Sequence, residues 1–370
     1  MPRLWHPVTN GRQYAARHPR KPALKQYTVT ISGSNSEFVV FEGESVLTAA
    51  LRQGVMLPYS CKNGTCGSCK GRVGQGEVRY PFHPPLALER SEIAEGFALL
   101  CQAEPLGDLA IEVREIEAVR DIPVRMLPAR VAEKTLLAEN VMRLRLRLPK
   151  NQRLQFLAGQ YVDILQPGGK RRAFSIASPP QEADEIELHI RHVEGGGFTG
   201  QVFDELKERD ILRLEGPLGT FFVRNDRPER PMIMMGGGTG FAPLKAMIED
   251  LLAHGDTRPT HLFWGARNAE ELYLGELPER WAAEHGHISY SPALSEGGEG
   301  DVAFTGLVHE AVIGAYPDLS GMDVYMSGPP AMIDAARTAF QQHGLPVERL
   351  FYDSFEFGLD VPVQILAKPH

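Results

Sequence analysis

Apolar residues recur along this chain with two periods, and the changes of period divide it into segments. Thr28-Val29-Thr30-Ile31 and Phe38-Val39-Val40-Phe41 flank a Gly33-Ser34-Asn35 turn signal and predict a β-hairpin. Ser45 can cap a short helix in which Val46, Leu47, Ala50 and Leu51 share one face and which Gly54 ends. Phe97 to Leu100 leads into Cys101, and Leu109 to Val113 reads as a further strand. Met142, Leu144, Leu146 and Leu148 alternate with Arg143, Arg145 and Arg147, the pattern of a strand with one buried and one wet face. Met232 to Met235 is unbroken and apolar, as in a strand covered on both sides. It is followed by Leu244, Met247, Ile248, Leu251 and Leu252 at helical spacing. Leu262 to Arg267 and His287 to Ser291 continue as strands, and Val324 to Pro330 leads into a last helix with Met332, Ile333, Ala336 and Phe340 on its inner face.

At 370 residues the chain is too long for one ordinary core and calls for two or three domains. Its 43% hydrophobic and 23% charged residues are those of a soluble globular protein, and no apolar run is long enough to span a membrane. A net charge of -8 argues against general nucleic-acid binding. Residues 1–26 contain Arg3, Arg12, Arg17, Arg20, Lys21 and Lys25 and no acid, so they are expected to form a disordered basic tail. With no apolar run of signal-peptide type seen near the N-terminus, a cytoplasmic location is the expectation.

All four cysteines fall in one pattern: Cys61, Cys66 and Cys69 in a Cys-x4-Cys-x2-Cys loop, with Cys101 downstream. Two irons bridged by two sulfides need four thiolates, and a Gly-rich loop can wrap three of them around a compact core. Disulfides would need an oxidising compartment, and a structural zinc would favour paired Cys-x2-Cys knuckles, so the spacing favours a 2Fe-2S cluster. Lys62, Lys70 and Arg72 beside it read as solvated surface charges, with a docking role as the alternative.

Arg172-Ala173-Phe174-Ser175 can supply what a flavin dinucleotide requires: a cation for the pyrophosphate, a flat ring and a hydroxyl. Leu188-His189-Ile190-Arg191 then precedes Gly195-Gly196-Gly197-Phe198-Thr199-Gly200, which opens onto a short helix predicted over Gln201 to Leu206, whose N-terminus would attract phosphate. The buried strand Met232 to Met235 runs into Gly236-Gly237-Gly238-Thr239-Gly240 and a helix, the arrangement that lets a pyrophosphate approach backbone. Phe241 stands at the third-glycine position of the usual dinucleotide fingerprint.

These motifs together resemble the ferredoxin-NADP reductase superfamily preceded by a plant-type ferredoxin. The similarity runs from Tyr27 to about Phe357 and includes the single-chain reductases serving methane monooxygenase, phenol hydroxylase and benzoate dioxygenase. Phe198-Thr199-Gly200, the run Glu215 to Phe222 and Phe351-Tyr352-Asp353-Ser354 are most similar to the CDP-6-deoxy-delta-3,4-glucoseen reductases. The resemblance implies a multidomain α+β and α/β protein. A β-grasp 2Fe-2S ferredoxin domain (27–116), a linker (117–124), an antiparallel β-barrel FAD domain (125–226) and a doubly wound parallel-sheet nicotinamide domain (227–357) would precede a tail (358–370).

On the same resemblance FAD would be held by Arg172, Phe174, Ser175, His189, Ile190, Arg191, Gly197, Phe198 and Thr199, with Ser175 near the reactive ring nitrogen. Gly237, Gly238, Thr239, Gly240, Pro243, Arg267, Gly328 and Pro329 would hold the nicotinamide nucleotide. Tyr is commoner than Phe at position 174, and many members have Cys where Ser327 stands. Phe355 and Tyr352 are candidates for packing by the flavin. Glu296, which would approach the adenosine ribose, would repel a 2'-phosphate and so favours NADH over NADPH.

NADH delivers two electrons as a hydride, a cluster accepts one at a time, and flavin can do both. The expected order is NADH, FAD, cluster, and then an external protein, either a pyridoxamine-phosphate dehydrase or an oxygenase component. A redox-sensing subunit that holds both groups without turnover is the alternative of a different class.

Overall fold

A computed structural model describes residues 25–34, 36–81, 85–182, 184–297 and 304–355 of the protein. Residues 1–24 of the expected tail and the expected tail over 358–370 lie outside them. Gln26 already belongs to the first strand.

The first unit is a mixed sheet in the order Glu37–Phe41, Gln26–Ile31, Leu109–Glu112, Lys70–Gln75, Phe97–Leu99. Its first two strands form the expected hairpin, Val29 facing Phe38 and Tyr27 facing Val40. Ser45 caps helix Val46–Arg52 by accepting from the Thr48 N–H at 3.3 Å. Val46, Leu47, Ala49 and Ala50 then bury the helix against the sheet.

The segment read as a linker is packed against both units it joins. It contains a 3-10 turn, Glu117–Val119, and Val119 is buried with Ile116 and Phe222. The Ile116 N–H donates to the Met56 carbonyl at 2.7 Å, which ties the exit of the first unit to its own loop.

Six antiparallel strands form the second unit in the order Arg171–Ser175, Tyr161–Leu165, Ile211–Leu218, Arg125–Ala138, Val141–Arg147, Glu185–Arg191. The sheet curls until its edges meet in a bridge between Ile176 and Leu188. Met142, Leu144, Leu146 and Leu148 enter the core as the alternation requires. The arginines between them stay outside and pair with acids: Arg143 with Glu133 at 2.7 Å, Arg145 with Glu182 at 3.3 Å and Arg147 with Glu185 at 2.5 Å. The helix expected over Gln201 to Leu206 begins earlier and spans Gly197–Asp204, so the last glycines of the run form its first turn.

The third unit is a parallel sheet in the order Phe304–Thr305, Ile288–Leu294, Thr260–Ala266, Met232–Gly237, Asp323–Gly328, Leu350–Ser354. Helices cover both faces, so Met232 to Met235 are all buried. On one face Phe241 stacks on Trp264 with ring centroids 4.0 Å apart, and both are fully buried. No helix among the described residues is long and apolar enough to cross a membrane.

Truncating the stacked ring leaves a cavity that rigid neighbours fill poorly. Phe241→Ala is therefore expected to cost about 3–5 kcal/mol, measured as a lower denaturation midpoint of the purified protein.

Candidate redox site

The four cysteines converge. Lys62, Gly64 and Gly67 adopt left-handed backbone angles (φ 64°, 88° and 79°), which lets the loop wrap Cys61, Cys66 and Cys69 around one point. A side chain at Gly64 would strike Pro85 at 2.8 Å. Cys101 arrives from the end of strand Phe97–Leu99, held by the Leu100 N–H on the Cys69 carbonyl at 3.1 Å. The Cys61 sulfur lies beside those of Cys66 and Cys101, and the Cys101 sulfur also beside that of Cys69.

The backbone N–H groups of Asn63 and Ser68 point at the sulfurs of Cys61 (3.4 Å) and Cys66 (3.5 Å), as thiolates bearing negative charge would require. No group of three or more His, Cys, Asp or Glu among the described residues is placed to hold a single ion. A two-iron cluster does not ask for one, because each iron draws two thiolates and two sulfides. The donor set therefore fits a 2Fe-2S cluster. Lys62 departs from expectation: it turns inward, its ammonium 5.0 Å from the Tyr59 ring, and burial lowers its pKa against the pull of Asp163. Lys70 is paired with Glu92.

The flavin-motif strand places its members on two faces. Arg172 and Phe174, two residues apart, share one. Phe174 packs against Phe198 with centroids 5.7 Å apart, joining the motif to the glycine-run helix. In the first turn of that helix the Thr199 hydroxyl accepts from the Val193 N–H at 3.2 Å and lies 3.3 Å from the Gly196 carbonyl, which fixes the loop. Ser175 turns the other way, is buried, and donates to Asp353 at 3.2 Å.

Asp353 lies on the edge strand of the nucleotide-binding sheet, and its other carboxylate oxygen accepts from Ser60 at 2.5 Å. Ser60 immediately precedes Cys61. One buried carboxylate therefore joins the cluster loop, the flavin-motif strand and the nucleotide-binding sheet. Burial raises its pKa, and the two hydroxyls that donate to it oppose the rise.

His189 has no side-chain surface left for a ligand. Its side chain is fully buried, with Nε2 2.8 Å from Glu187 and Nδ1 2.9 Å from the Tyr273 hydroxyl. Burial holds the ring neutral, so Nε2–H donates to the carboxylate while Nδ1 accepts from the phenol. Burial alone would raise Glu187, but the His189 hydrogen bond and the Lys245 charge, 3.4 Å away, outweigh it and hold the carboxyl at about 2. Ile190 is buried in the core of the second unit.

Arg191 instead reaches the third unit. Its guanidinium lies 3.2 Å from where a Gly238 side chain would begin, and 3.4 Å from Glu271. Glu271 also holds Arg267, whose Nε donates at 2.8 Å.

The nucleotide glycines are required by packing. A Cβ on Gly240 would meet the Ser327 carbonyl at 2.0 Å, and one on Gly237 would meet the Met332 sulfur at 2.6 Å. Gly328 has φ 153°, and Pro329 caps helix Pro330–Gln342. Thr239 and Pro243 are buried at the turn into helix Phe241–Ala253, and the Trp264 indole donates to the Gly238 carbonyl at 2.9 Å. The two glycine turns thus lie backbone to backbone. Ser327 Oγ is buried beside them without a hydrogen-bond partner, which fits a polar ligand over the turns.

Asp353, Ser60, Glu187 and Glu271 had no assigned role in the sequence reading. Each acts across a domain border, and spacing along the chain does not report that. Only Asp353 stood within a quoted motif.

Three cysteines in a loop, a fourth from a strand, a flavin motif and a paired glycine turn define an iron–sulfur flavoprotein with a nicotinamide site. Residues 29–106 match the 2Fe-2S iron-sulfur cluster binding domain, 128–223 the oxidoreductase FAD-binding domain and 234–338 the oxidoreductase NAD-binding domain. The chain is 40% identical to the CDP-6-deoxy-L-threo-D-glycero-4-hexulose-3-dehydrase reductase of Yersinia pestis, over 84% of this chain and 93% of that protein. It is 41% identical to the phenol 2-monooxygenase reductase component DmpP of Pseudomonas sp. (strain CF600), over 90% and 96%. The crystal structure of the Amycolatopsis cytochrome P450 reductase GcoB is similar at 35% identity and a TM-score of 0.72, covering 89% of this chain and 98% of that one. The chain belongs to the NAD(P)H-dependent iron–sulfur flavoprotein reductases, which carry electrons through FAD to a 2Fe-2S cluster.

The Glu187–His189–Lys245 cluster sets an acid limit. Glu187 is lowered from 4.5 to about 2, so its stabilising contribution is complete above pH 4.5 and lost as pH falls toward 2. His189, lowered from 6.5, adds a loss that begins as pH falls below 6.5. Denaturation midpoints measured from pH 7 down to pH 3 should decline, and Glu187→Gln should flatten the part of that decline below pH 4.5.

Proposed function

We propose that this reductase takes electrons from NADH in preference to NADPH and delivers them singly to an acceptor protein. The overall balance is NADH plus two oxidised one-electron acceptors giving NAD+, one proton and two reduced acceptors. Flavin, when bound, supplies the conversion from hydride to single electrons. The observation that carries this reading is the meeting of Ser60, Ser175 and Asp353, which brings the cluster loop and the flavin-motif strand onto the edge of the nucleotide-binding sheet.

In this reading Arg172, Phe174 and the helix turn Gly197, Phe198 and Thr199 bind FAD, Ser175 orients its reactive edge, and Cys61, Cys66, Cys69 and Cys101 hold the cluster. His189 and Ile190 support the FAD site through their buried packing. Arg191, with Arg267, faces the nucleotide phosphates beside Gly238, a position reached by a cation of the flavin unit. Two cations on one carboxylate leave net positive charge there, which suits a pyrophosphate. Gly237, Thr239, Gly240, Pro243, Gly328 and Pro329 shape the turns on which the nucleotide rests.

Glu296 is exposed, and its N–H donates to the Arg267 carbonyl at 3.0 Å, which sets the two residues next to one another in the fold. A 2'-phosphate would meet the negative charge of Glu296. For the acceptor, relatives at 40% and 41% identity are named for a deoxyhexulose dehydrase and a phenol monooxygenase. The dehydrase type is the main reading, carried by the Phe351-Tyr352-Asp353-Ser354 wording, and an oxygenase component is the second.

Steady-state kinetics should give kcat/KM for NADH at least about tenfold above NADPH, with Glu296→Arg narrowing the ratio. A higher value for NADPH in the native enzyme would overturn the preference. Cys101→Ser should remove the cluster's visible absorbance and electron paramagnetic resonance signal and abolish NADH-dependent cytochrome c reduction. FAD content and ferricyanide reduction should remain.

A further inference from the structure

The two residues before the first cluster cysteine make an unusual number of bonds outside their own domain. Tyr59 N–H donates to Thr220 Oγ1 at 3.0 Å, and Thr220 returns both its N–H and its hydroxyl to the Tyr59 carbonyl at 3.2 Å. The Tyr59 side chain is buried beside Gly219 of the second unit. Ser60 accepts at its carbonyl from the Tyr161 hydroxyl at 2.7 Å and donates its own hydroxyl to Asp353. Thr220, Gly219 and Tyr161 belong to the second unit and Asp353 to the third. The contact is enclosed: Tyr59 is 3% exposed, Ser60 6%, Tyr161 7% and Asp353 6%. An intramolecular surface of this polarity, fully satisfied and closed to water, fixes orientation more strongly than apolar contact would.

We propose that Tyr59-Ser60 is an intramolecular docking key, and that Ser60 is a positioning residue that holds the cluster loop in one geometry against the flavin-motif strand. The proposal rests on the electron route given above and adds that its internal step is set by this docking. With both groups bound, that step would move one electron from the flavin beside Arg172, Phe174 and Ser175 to the cluster held by Cys61, Cys66, Cys69 and Cys101. Ser60 exchanges neither electron nor proton. Because the Ser60 side of the loop is occupied by the chain itself, an external acceptor must approach the cluster from elsewhere on the ferredoxin unit.

The test is rapid mixing of the oxidised full-length holoenzyme with NADH under anaerobic conditions, following flavin bleaching and cluster bleaching separately. Iron and FAD contents are measured on every variant. Ser60→Ala should slow cluster reduction about tenfold, as expected when a buried hydrogen bond to a carboxylate is lost. Flavin reduction by NADH should stay within about twofold, since the hydride step does not use this bond. Ser60→Thr, which keeps the hydroxyl, should recover most of the rate. Tyr161→Phe removes a second bond to the same residue without touching the cysteine loop and should slow the same phase.

Cluster reduction unchanged in both Ser60→Ala and Tyr161→Phe would overturn the proposal. So would flavin reduction falling in parallel with cluster reduction, or loss of iron from both variants, since the segment would then serve the hydride site or the fold alone. A native enzyme whose flavin is never reduced by NADH would remove the electron route itself, a failure visible before any variant is compared.

Discussion

The arrangement depends on a carboxylate that water does not reach. Asp353 is buried, and an acid in that position is tolerable only where donors satisfy it. Its two donors, Ser60 and Ser175, come from two other units of the chain. Withdrawing either unit would take away one of the carboxylate's two donors. Cluster loop, flavin-motif strand and nucleotide-binding sheet are therefore held together by the cost of separating them as well as by their contacts.

The same device recurs twice between the second and third units. Glu187 of the second unit is held by Lys245 of the third, and Glu271 of the third takes Arg191 of the second together with Arg267. Buried acids paired across domain borders fix register and orientation, where a greasy interface would allow sliding. That suits a relay whose efficiency rests on distance and orientation. Left-handed backbone also shapes the cofactor sites. Left-handed Lys62, Gly64 and Gly67 wrap the cysteines, and the Gly237–Gly240 turn and Gly328 let two backbone segments touch. The polar seams between domains thus align cofactor sites that the glycine turns shape.

Much of this was legible in the chain. Alternating Met142, Leu144, Leu146 and Leu148 gave a strand with paired arginines outside, Ser45 capped its helix, and Met232 to Met235 lay fully buried, because period and capping are local properties. The four cysteines were legible because a cluster imposes spacing. Two features rest on tertiary contacts that local reading does not report. Lys62 looked like a surface lysine but folds back over Tyr59 of its own unit, with Asp163 and Arg171 of the second unit nearby. Residues 117–124, read as a linker, also contribute Val119 to a small core with Phe222. The same reason hid the roles of Ser60, Glu187 and Glu271: each is defined by a partner far away in sequence, and no period records it.

A docked cluster loop makes the flavin-to-cluster step internal to one chain. The most direct test is the rate of cluster reduction after anaerobic mixing with excess NADH, measured over a hundredfold range of enzyme concentration. The account predicts a first-order phase whose rate constant does not change with enzyme concentration. A rate that rises in proportion to enzyme concentration would mean that electrons reach the cluster from another molecule, and would contradict it.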